Sequence, residues 1–487
     1  MSESRVCMPP CFQERVLARE GRGVCADTLL ISVPLTTVPG EPFTVHVSAL
    51  SGGCEPTVHC DGRCELACES GGVSPISVFF EEGRPATAYV SGVRLCGEGM
   101  YRFRGRLNGR EYWSNPTRCL AGASYRIAWG DPHVHTVLSN CHAARCRSLN
   151  FAFSAGRYVS GLQWMSAADH VSNGRCSRGQ FREESETSDN YDDPPEFVTL
   201  PAYEASLKGG CGGDNNIYMR RWPADFVDHY EDGNVKTLLA ELDGLLDPDA
   251  SYAVPHHTSR AGKHGEIPWA IYPGAARMPV AEITSCWGNS EYRGNPDPLE
   301  KVHAGPSYVV DLLNQGLPLG FIGGTDTHVS NPFQLAYSPP AREHLLSDPG
   351  GTGVFVERLD RGAIFDAIRA RNCYAGKRER TYLEVFVNDL RGGAIAEGAA
   401  SRGPRTVRFT AAGASDIVSV EIVRNGEPFA CVPGSGWHMA GEVRDEEALE
   451  KIALTGRPLE RFAYYYVRVR YASGAMAWSS PVWFVLG

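Results

Sequence analysis

Two pairs of potential metal ligands, each pair separated by one residue, are the most informative feature of the sequence. His133 and His135 follow a short apolar run, and Asp326 and His328 follow another one far downstream. If each run is a strand, the two side chains of a pair lie on the same face, because side chains alternate along a strand. Neutral imidazoles and ionised carboxylates are the usual ligands of Zn²⁺, Mn²⁺ and Fe²⁺. The spacing therefore predicts a metal site assembled at strand ends.

Further candidate ligands follow predicted strands between the two pairs. They are Asp169, His170, Glu204, His256 and His257. A glutamate can bridge two cations with its two oxygens, which makes Glu204 a candidate bridging ligand. Carboxylates and imidazoles that converge without a cation would shift one another's pKa values strongly, and a divalent ion removes that conflict. The whole set thus strengthens the prediction of a metal centre.

The elements that must position these residues are predicted strands and helices that alternate from about residue 123 to 380. The predicted strands are 162–166, 197–200, 252–254, 280–284 and 317–322, and the predicted helices are 148–160, 235–246, 307–315 and 361–371. Such alternation is typical of an α/β domain with a largely parallel sheet. These domains collect functional residues at the C-terminal ends of their strands.

Short strand-like runs with frequent turn signals flank this region on both sides. This patterning is typical of β-sandwiches. We therefore predict a β-sandwich-like N-terminal domain with a cysteine-rich insertion at residues 1–122, the α/β domain at 123–380, and a β-sandwich-like C-terminal domain at 381–487.

The cysteine-rich insertion contains Cys54, Cys60, Cys64 and Cys68. Their spacing does not match the paired C-x2-C signature, so it is weak evidence for a metal site. Two interpretations stay open. One is a surface insertion with reduced thiols, which a cytosolic compartment favours, and the other is a structural or redox metal site.

The composition limits the class of partner. The chain has 487 residues and a net charge of −10, from 47 basic and 57 acidic side chains. A negative chain is a poor generic ligand for nucleic acid or an anionic membrane, and no apolar stretch approaches the ~20 residues of a membrane span. The polar N-terminal segment lacks the apolar core of a secretory signal. We expect a soluble, cytoplasmic protein that acts on a small-molecule substrate, with its oligomeric state unknown.

The order of the candidate ligands resembles that of the polymerase-and-histidinol-phosphatase (PHP) superfamily of metallohydrolases. The surrounding residues are more similar to one branch of it, which includes carbaryl-hydrolase-like enzymes. The resemblance covers roughly residues 123 to 395. The motifs that carry it are Trp129-Gly130-Asp131, Thr199 to Glu204, Pro255-His256-His257, Gly323 to His328 and Ala370 to Ala375.

The resemblance implies an α/β fold, a PHP-type distorted (β/α)7 barrel, around a cleft with two or three metal ions. For this chain we expect one to three divalent ions (Zn, Mn or Fe). The resemblance implies that a first ion is held by His133, His135, Glu204 and Asp326, a second by Glu204 and His256, and a third with the help of His170 and His328. Either His256 or His257 is the ligand in its pair, and His256 is favoured. His257 and Asp169 are then the candidate catalytic acids that protonate a leaving group.

Three positions depart from the family pattern. Many relatives carry leucine in place of Pro132, and several carry an acidic residue near Asn140 that would help to hold the third ion. Many carry a histidine in the segment matched here by residues 213–216, where Asp214 or Asn215 offers oxygen instead. These differences weaken the expectation of a third ion and alter the second site.

Three functions are compatible with such a centre. The first is hydrolysis of a phosphoester by metal-activated water, with anion binders among Arg145, Arg147, Arg175, Arg178, Arg260 and Lys263. The second is hydrolysis of a carboxylic ester, amide or carbamate in an aromatic pocket drawn from Trp129, Trp164, Trp287 and Tyr203. The third is a metal-holding but non-catalytic binding protein, suggested by the amides at Asn140 and Asn215.

Overall fold

A computed structural model describes most of the chain. The described residues are 4–51, 55–69, 71–141, 146–208, 212–231, 233–262, 265, 271–299, 301–332 and 349–486. Strands predominate over helices, and no helix among these residues is both long and apolar enough to cross a membrane.

The N-terminal region is built almost entirely from strands. Helix α1 is Cys11–Glu20, and the strands are β1 (Arg5–Cys7), β2 (Thr28–Ser32), β3 (Thr36–Thr37), β4 (Phe43–Ser51), β5 (Glu55–Pro56), β6 (Gly62–Cys68), β7 (Ile76–Phe80), β8 (Thr87–Val93), β9 (Gly99–Tyr101), β10 (Phe103–Leu107), β11 (Arg110–Trp113) and β12 (Thr117–Cys119). One sheet has the order β1-β8-β4-β2, a second has β11-β10-β6-β7, and a third has β3-β12-β9. A shared apolar core packs between the first two sheets.

Cys60, Cys64 and Cys68 are buried in that core as free thiols, and Cys54 lies outside the described residues. The three described cysteines are therefore not on the surface, contrary to the surface-insertion interpretation. Burial raises the pKa of the Cys64 thiol to about 12, as expected for an inert core cysteine. No metal-ligand group forms from these three residues in the part of the chain that the structure describes.

The middle region mixes strands and helices. Its strands are β13 (Arg126–Val134), β14 (Trp164–Ala167), β15 (Val198–Thr199), β16 (Ala202–Ser206), β17 (Asp214–Met219), β18 (Ser251–Pro255), β19 (Val280–Ser285), β20 (Gly288–Asn289), β21 (Gly320–Gly323), β22 (Gly350–Val356) and β23 (Cys373–Lys377). Its helices are α2 (Leu149–Ser154), which continues into a π-helical turn, α3 (Arg178–Tyr191), α4 (Val235–Leu245), α5 (Val309–Asn314) and α6 (Arg361–Arg369).

The C-terminal region returns to strands. They are β24 (Tyr382–Val387), β25 (Leu390–Arg391), β26 (Ile395–Ala396), β27 (Arg405–Ala412), β28 (Ile417–Arg424), β29 (Glu427–Pro433), β30 (His438–Asp445), β31 (Leu454–Thr455), β32 (Arg461–Tyr471), β33 (Met476–Ser479) and β34 (Val482–Val485), with the short helix α7 (Leu449–Ile452). One sheet has the order β25-β24-β27-β30. Strand β33 pairs with β23, so a single sheet continues from the middle region into the C-terminal region.

A closed (β/α)7 barrel is not confirmed. Among the described residues, the middle strands divide between three sheets: one contains β13, β14, β15, β22 and β23, a second is β16-β17-β18, and a third is β20-β19-β21. Parallel pairs join β13 to β14 and β19 to β21, but the β16-β17-β18 sheet is antiparallel. The short link from β16 to β17 explains this, because a parallel crossover needs a dozen or more residues.

Candidate metal centre

The ends of β13, β14, β18 and β21 meet the middle of β16 at one place. The backbone N–H of His135 donates to the Thr327 carbonyl at 3.0 Å, and that of Asp326 donates to the His133 carbonyl at 2.8 Å. A parallel bridge joins His170 to Glu204 in the same way. Residues far apart in sequence are therefore held side by side by main-chain hydrogen bonds.

The imidazoles of His133 and His135, two predicted ligands of the first ion, each face an oxygen of Glu204 and an oxygen of Asp326. The Nε2 atom of His135 lies 3.1 Å from Nε2 of His133, 3.2 Å from Oε2 of Glu204 and 3.1 Å from Oδ1 of Asp326. The Nε2 atom of His133 lies 3.4 Å from the same Glu204 oxygen and 3.6 Å from the same Asp326 oxygen. All four side chains are buried.

These distances fit a divalent cation. Ligand atoms about 2.1 Å from a tetrahedral ion lie about 3.4 Å from one another. Two nearby contacts also lack hydrogen-bond geometry: Nδ1 of His170 is 3.2 Å from Oε1 of Glu204, and Oδ2 of Asp326 is 2.8 Å from Nε2 of His257. Ligand atoms that lie close together without hydrogen-bonding to one another have the arrangement expected around a metal ion.

The other predicted ligands extend the cluster on both sides. One group that could hold an ion joins His133, Glu204 and His256, and another joins His135, His170 and His328. Glu204 is shared because Oε1 lies 3.6 Å from Nε2 of His256 while Oε2 faces His133 and His135. The two oxygens of this buried carboxylate would thus be available to two neighbouring cations.

The buried carboxylates of the cluster need positive charge nearby. Burial by itself would lower the pKa of His135, but hydrogen bonds with Asp326 and Glu204 raise it to about 10. Burial would also lower the pKa of His170, but the nearby Glu204 carboxylate raises it to about 9. Burial would raise the pKa of Glu204, but His170 and His256 hold it well below its usual value. Either protons on the imidazoles or bound cations must supply the charge.

Contacts behind the cluster orient the imidazoles. The Nδ1 atom of His133 is 3.1 Å from Oε2 of Glu282, and Nδ1 of His135 is 3.0 Å from Oγ of Ser139. Since the Ser139 hydroxyl donates to Asp169, it accepts the proton of His135 Nδ1. Both rings are thereby held with the lone pair of Nε2 directed at the shared centre, as in other histidine metal sites.

A close approach beside the cluster requires glycine at position 324. A Cβ atom there would lie 2.5 Å from Oε2 of Glu282 and 2.7 Å from Cβ of His133. Next to it, Asp326 has a φ of 51°, and His257 has a φ of 53°. Left-handed backbone at non-glycine residues costs energy and clusters at functional sites.

Asp169 and His257, the two predicted acids, have different surroundings. The Asp169 carboxylate is buried and accepts hydrogen bonds from the Thr136 N–H and hydroxyl and from the Ser139 hydroxyl. It therefore holds Ser139, rather than facing the shared centre. His257 faces Asp326 and belongs with His256 and Asp326 to a further group that could hold an ion.

The predicted oxygen donors near the second ion are rearranged. The Asn215 amide donates to the Gly212 and Gly213 carbonyls, whereas the buried Asn216 lies directly opposite Glu204 on the neighbouring strand. Directly opposite residues share a face, so Asn216 is the amide beside Glu204. Asn140 is exposed and donates to the Arg175 carbonyl.

Sequence reasoning also missed Glu282 and Ser139. A signal for Glu282 existed, since it is the one charged residue in the apolar strand β19. No sequence signal pointed to Ser139, because its role depends on the turn that follows His135.

Of the predicted anion binders, Arg175 is placed best. It lines a small pocket with His170, Asn173, Ser206 and Tyr230. Arg147 is buried and bonded to Glu55 and Asn331, and Arg178 pairs with Asp225. Arg145 and Lys263 lie outside the described residues. Arg260 lies over the Trp287 ring, at 5.9 Å from its centroid.

Of the predicted aromatic residues, only Trp287 adjoins the cluster. Its ring meets those of His257 and His328 edge-on, at centroid distances of 6.3 and 5.7 Å. Trp129, Trp164 and Tyr203 are fully buried in the apolar cores. A larger cavity of 330 Å³ lies at the other end of β13, next to His46 and Tyr125, away from the cluster.

Replacing Glu282 with alanine is expected to weaken Zn²⁺ binding by roughly 10- to 100-fold, because the His133 ring loses the contact that orients it. Competition with a chromogenic chelator measures the affinity. The matched control is Glu357→Ala, an exposed glutamate directly after β22, which should bind Zn²⁺ like the wild type. Equal affinities in all three proteins would show that Glu282 does not orient His133.

Comparison with known protein families finds no family model that matches the chain. Curated relatives are uncharacterized proteins of Chlamydia pneumoniae, 25% identical over 397 residues, and Chlamydia trachomatis serovar D, 25% identical over 412 residues. Each match covers 79% of this chain and 62% of the relative. The chain thus spans less than two thirds of the length of these relatives.

Among solved structures, one similar chain is a two-domain protein from Bacteroides vulgatus that contains a predicted PHP-like metal-dependent phosphoesterase. The match covers 74% of this chain and 96% of that chain, at 13% sequence identity and a TM-score of 0.38. A superoxide reductase from Ignicoccus hospitalis matches 20% of this chain at a TM-score of 0.16. Similarity of this extent does not define the fold.

Proposed function

We propose that the protein is a metal-dependent hydrolase that acts on a phosphoester. The observation that carries this proposal is the convergence of His133, His135 and Asp326, whose ligand atoms lie 3.1 to 3.6 Å apart, beside a second group formed by His133, Glu204 and His256. Two neighbouring cations held in this way would suit the oxygens of a phosphoryl group. The resemblance of the sequence motifs to PHP metallohydrolases agrees with this reaction class.

Bound divalent ions would lower the pKa of a water molecule toward neutrality and polarise the scissile group. The chain's own residues would orient the ligands and transfer the proton. His133 and His135, oriented by Glu282 and Ser139, keep the ligand atoms preorganised. We assign proton transfer to the leaving group to His257, because both oxygens of Asp169 already accept hydrogen bonds.

A panel of p-nitrophenyl phosphates, aryl esters and carbamates tests the proposal on metal-loaded protein. We expect phosphoester hydrolysis that disappears with a chelator and returns with Zn²⁺ or Mn²⁺. Asp326→Ala, purified in the same way, controls for contaminating phosphatases. Activity on uncharged acyl substrates alone would contradict the phosphoester proposal.

The second candidate is hydrolysis of a carboxylic ester, amide or carbamate. Trp287 favours it, because this partly exposed indole adjoins both His257 and His328 and offers an apolar surface for an aryl or alkyl group. The same panel separates the two candidates.

Arg175→Ala is expected to raise the KM for phosphoesters about tenfold with little change in kcat, since a hydrogen bond to a charged group contributes roughly 1.5–3 kcal/mol. The half-buried Arg175 lines the pocket beside His170, where it can meet the non-bridging oxygens of a substrate. Steady-state kinetics measure both constants. Arg178→Ala, an exposed arginine paired with Asp225, is the control. An unchanged KM for Arg175→Ala would remove this residue from the substrate site.

A further inference from the structure

A buried aspartate joins the two strand ends that carry the ligand pairs. The Asp131 carboxylate is fully buried, and its Oδ1 accepts hydrogen bonds from the backbone N–H of His133 at 3.1 Å and of Thr325 at 3.0 Å. Its Oδ2 accepts from the Thr325 hydroxyl at 2.7 Å, and that hydroxyl also lies 2.9 Å from the His133 carbonyl. Since Thr325 directly precedes Asp326, one carboxylate ties together the backbone of both pairs.

A second buried aspartate repeats this arrangement between β13 and β14. The Asp169 carboxylate accepts hydrogen bonds from the backbone N–H of Thr136 at 2.6 Å and from the Thr136 hydroxyl at 2.5 Å. Thr136 directly follows His135, and Asp169 directly precedes His170. In both places an aspartate binds the N–H and the O–H of a threonine that is adjacent to a candidate ligand on another strand end. We call these two pairs the aspartate–threonine clamps: Asp131 with Thr325, and Asp169 with Thr136.

The first clamp fixes a backbone conformation that is unfavourable by itself. Asp326 has a φ of 51°, and a left-handed conformation at a non-glycine residue persists only where the surrounding structure holds it. The Asp326 N–H donates to the His133 carbonyl at 2.8 Å, and the neighbouring Thr325 adds its two hydrogen bonds to Asp131. Such bonds are stronger in a buried, low-dielectric setting than in water. Contacts within the protein thus direct the Asp326 side chain at the imidazoles.

We propose that Asp131 and Asp169 are positioning residues that preorganise the metal ligands by fixing the strand ends that carry them. This inference rests on the proposed metal-dependent function and gives the two aspartates no contact with metal or substrate. Residues that hold metal ligands from behind usually contribute roughly 10- to 100-fold to metal affinity. A ligand that keeps its side chain but loses its clamp should therefore bind the ion less tightly and in a different geometry.

Removal of a single hydroxyl tests each clamp without removing any ligand. In the full chain, Thr325→Val and Thr136→Val keep the size of the side chain and delete the hydroxyl that donates to the aspartate. We expect each variant to bind Zn²⁺ about tenfold or more weakly than the wild type, in competition with a chromogenic chelator. We also expect the d–d absorption bands of the Co²⁺-loaded variants to differ from those of the wild type in position or intensity, because these bands report the geometry of the ligands.

Two controls separate positioning from a general effect on folding. Thr325→Ser and Thr136→Ser keep the hydroxyl and should show the wild-type affinity and spectrum. Thr87→Val removes a similarly buried hydroxyl of the N-terminal region, which contacts the Ser48 hydroxyl at 2.6 Å and the Tyr158 carbonyl at 3.1 Å. It should lower the free energy of unfolding but leave the Zn²⁺ affinity and the cobalt spectrum unchanged. Circular dichroism checks the fold of each variant, and the two clamps are measured separately, so that a variant that fails to fold at one leaves the other to decide.

The remaining outcomes distinguish this inference from the proposed function. Wild-type affinity and spectrum in folded Thr325→Val and Thr136→Val would overturn the positioning role and leave the metal centre standing. An equal loss of affinity in Thr87→Val would overturn it too, since the effect would then follow from stability alone. A wild type whose metal binding depends on the clamps, but which hydrolyses no phosphoester, would support this inference and contradict the proposed function. A wild-type chain that binds neither Zn²⁺ nor Co²⁺ would overturn both.

Discussion

Replacing Asp326 with alanine is expected to release bound metal and to lower kcat by several orders of magnitude while the chain remains folded. The Oδ1 atom of Asp326 faces both His133 and His135, and Oδ2 faces His257. No neighbouring side chain can replace a carboxylate in that position. Metal-ion catalysis contributes several kcal/mol to the barrier, and each 1.4 kcal/mol is a factor of ten in rate. Elemental analysis and kcat on the phosphoester substrate are the measurements.

Asp389→Ala is the matched control, because this aspartate is 96% exposed at a turn of the C-terminal region and pairs only with Arg408 at the surface. It should keep both metal and turnover. If Asp326→Ala retained near-normal kcat, the proposed roles of the cluster would be wrong. If wild type and Asp326→Ala were equally inactive on a broad hydrolase panel and only the wild type held metal, the binding-protein function would be favoured instead.

Replacing Glu291 with alanine is expected to lower the free energy of unfolding by roughly 3–5 kcal/mol, the usual cost of removing one partner from a buried ion pair. Glu291 is fully buried in the middle region, and its Oε1 accepts hydrogen bonds from Tyr466 and Arg468 at 2.6 Å. Its Oε2 accepts one from the Trp478 indole at 2.7 Å. One carboxylate thus satisfies three side chains of the C-terminal strands, which its removal would leave with unmet hydrogen bonds.

Urea denaturation, followed by tryptophan fluorescence, measures this loss. The control is Glu447→Ala, which removes a half-exposed glutamate paired with Arg424 and should change stability by at most about 1 kcal/mol. Similar unfolding free energies for the two variants would show that the Glu291 contacts do not stabilise the junction between the middle and C-terminal regions. Metal content should be unaffected in both, since Glu291 lies outside the cluster.

A continuous sheet connects the middle and C-terminal regions at this junction. Strand β23 pairs with β22 on one side and with β33 of the C-terminal region on the other. The strands that carry the metal cluster are therefore connected to the C-terminal strands by main-chain hydrogen bonds as well as by Glu291. The domain boundary near residue 380 stays a prediction, and the sheet crosses it.

The spacing of residues along the chain predicted which neighbouring side chains share a face of a strand. His133 and His135 share a face because strand side chains alternate, and the same rule applies to residues that follow a strand closely. The apolar runs before the ligands became strands β13, β14, β18 and β21 near the predicted positions. Alternation is a local property, so the sequence carries it without knowledge of the fold.

Contacts between distant residues determined the sheets and the remaining contacts of the site. Strand partners are chosen by contacts between distant residues, so local spacing could not predict the sheets: the closed barrel is not confirmed, and the described strands lie in separate sheets of mixed direction. The same reason applies to the site: Glu282 meets His133 from 149 residues away, and Asp169 reaches Ser139 rather than the shared centre.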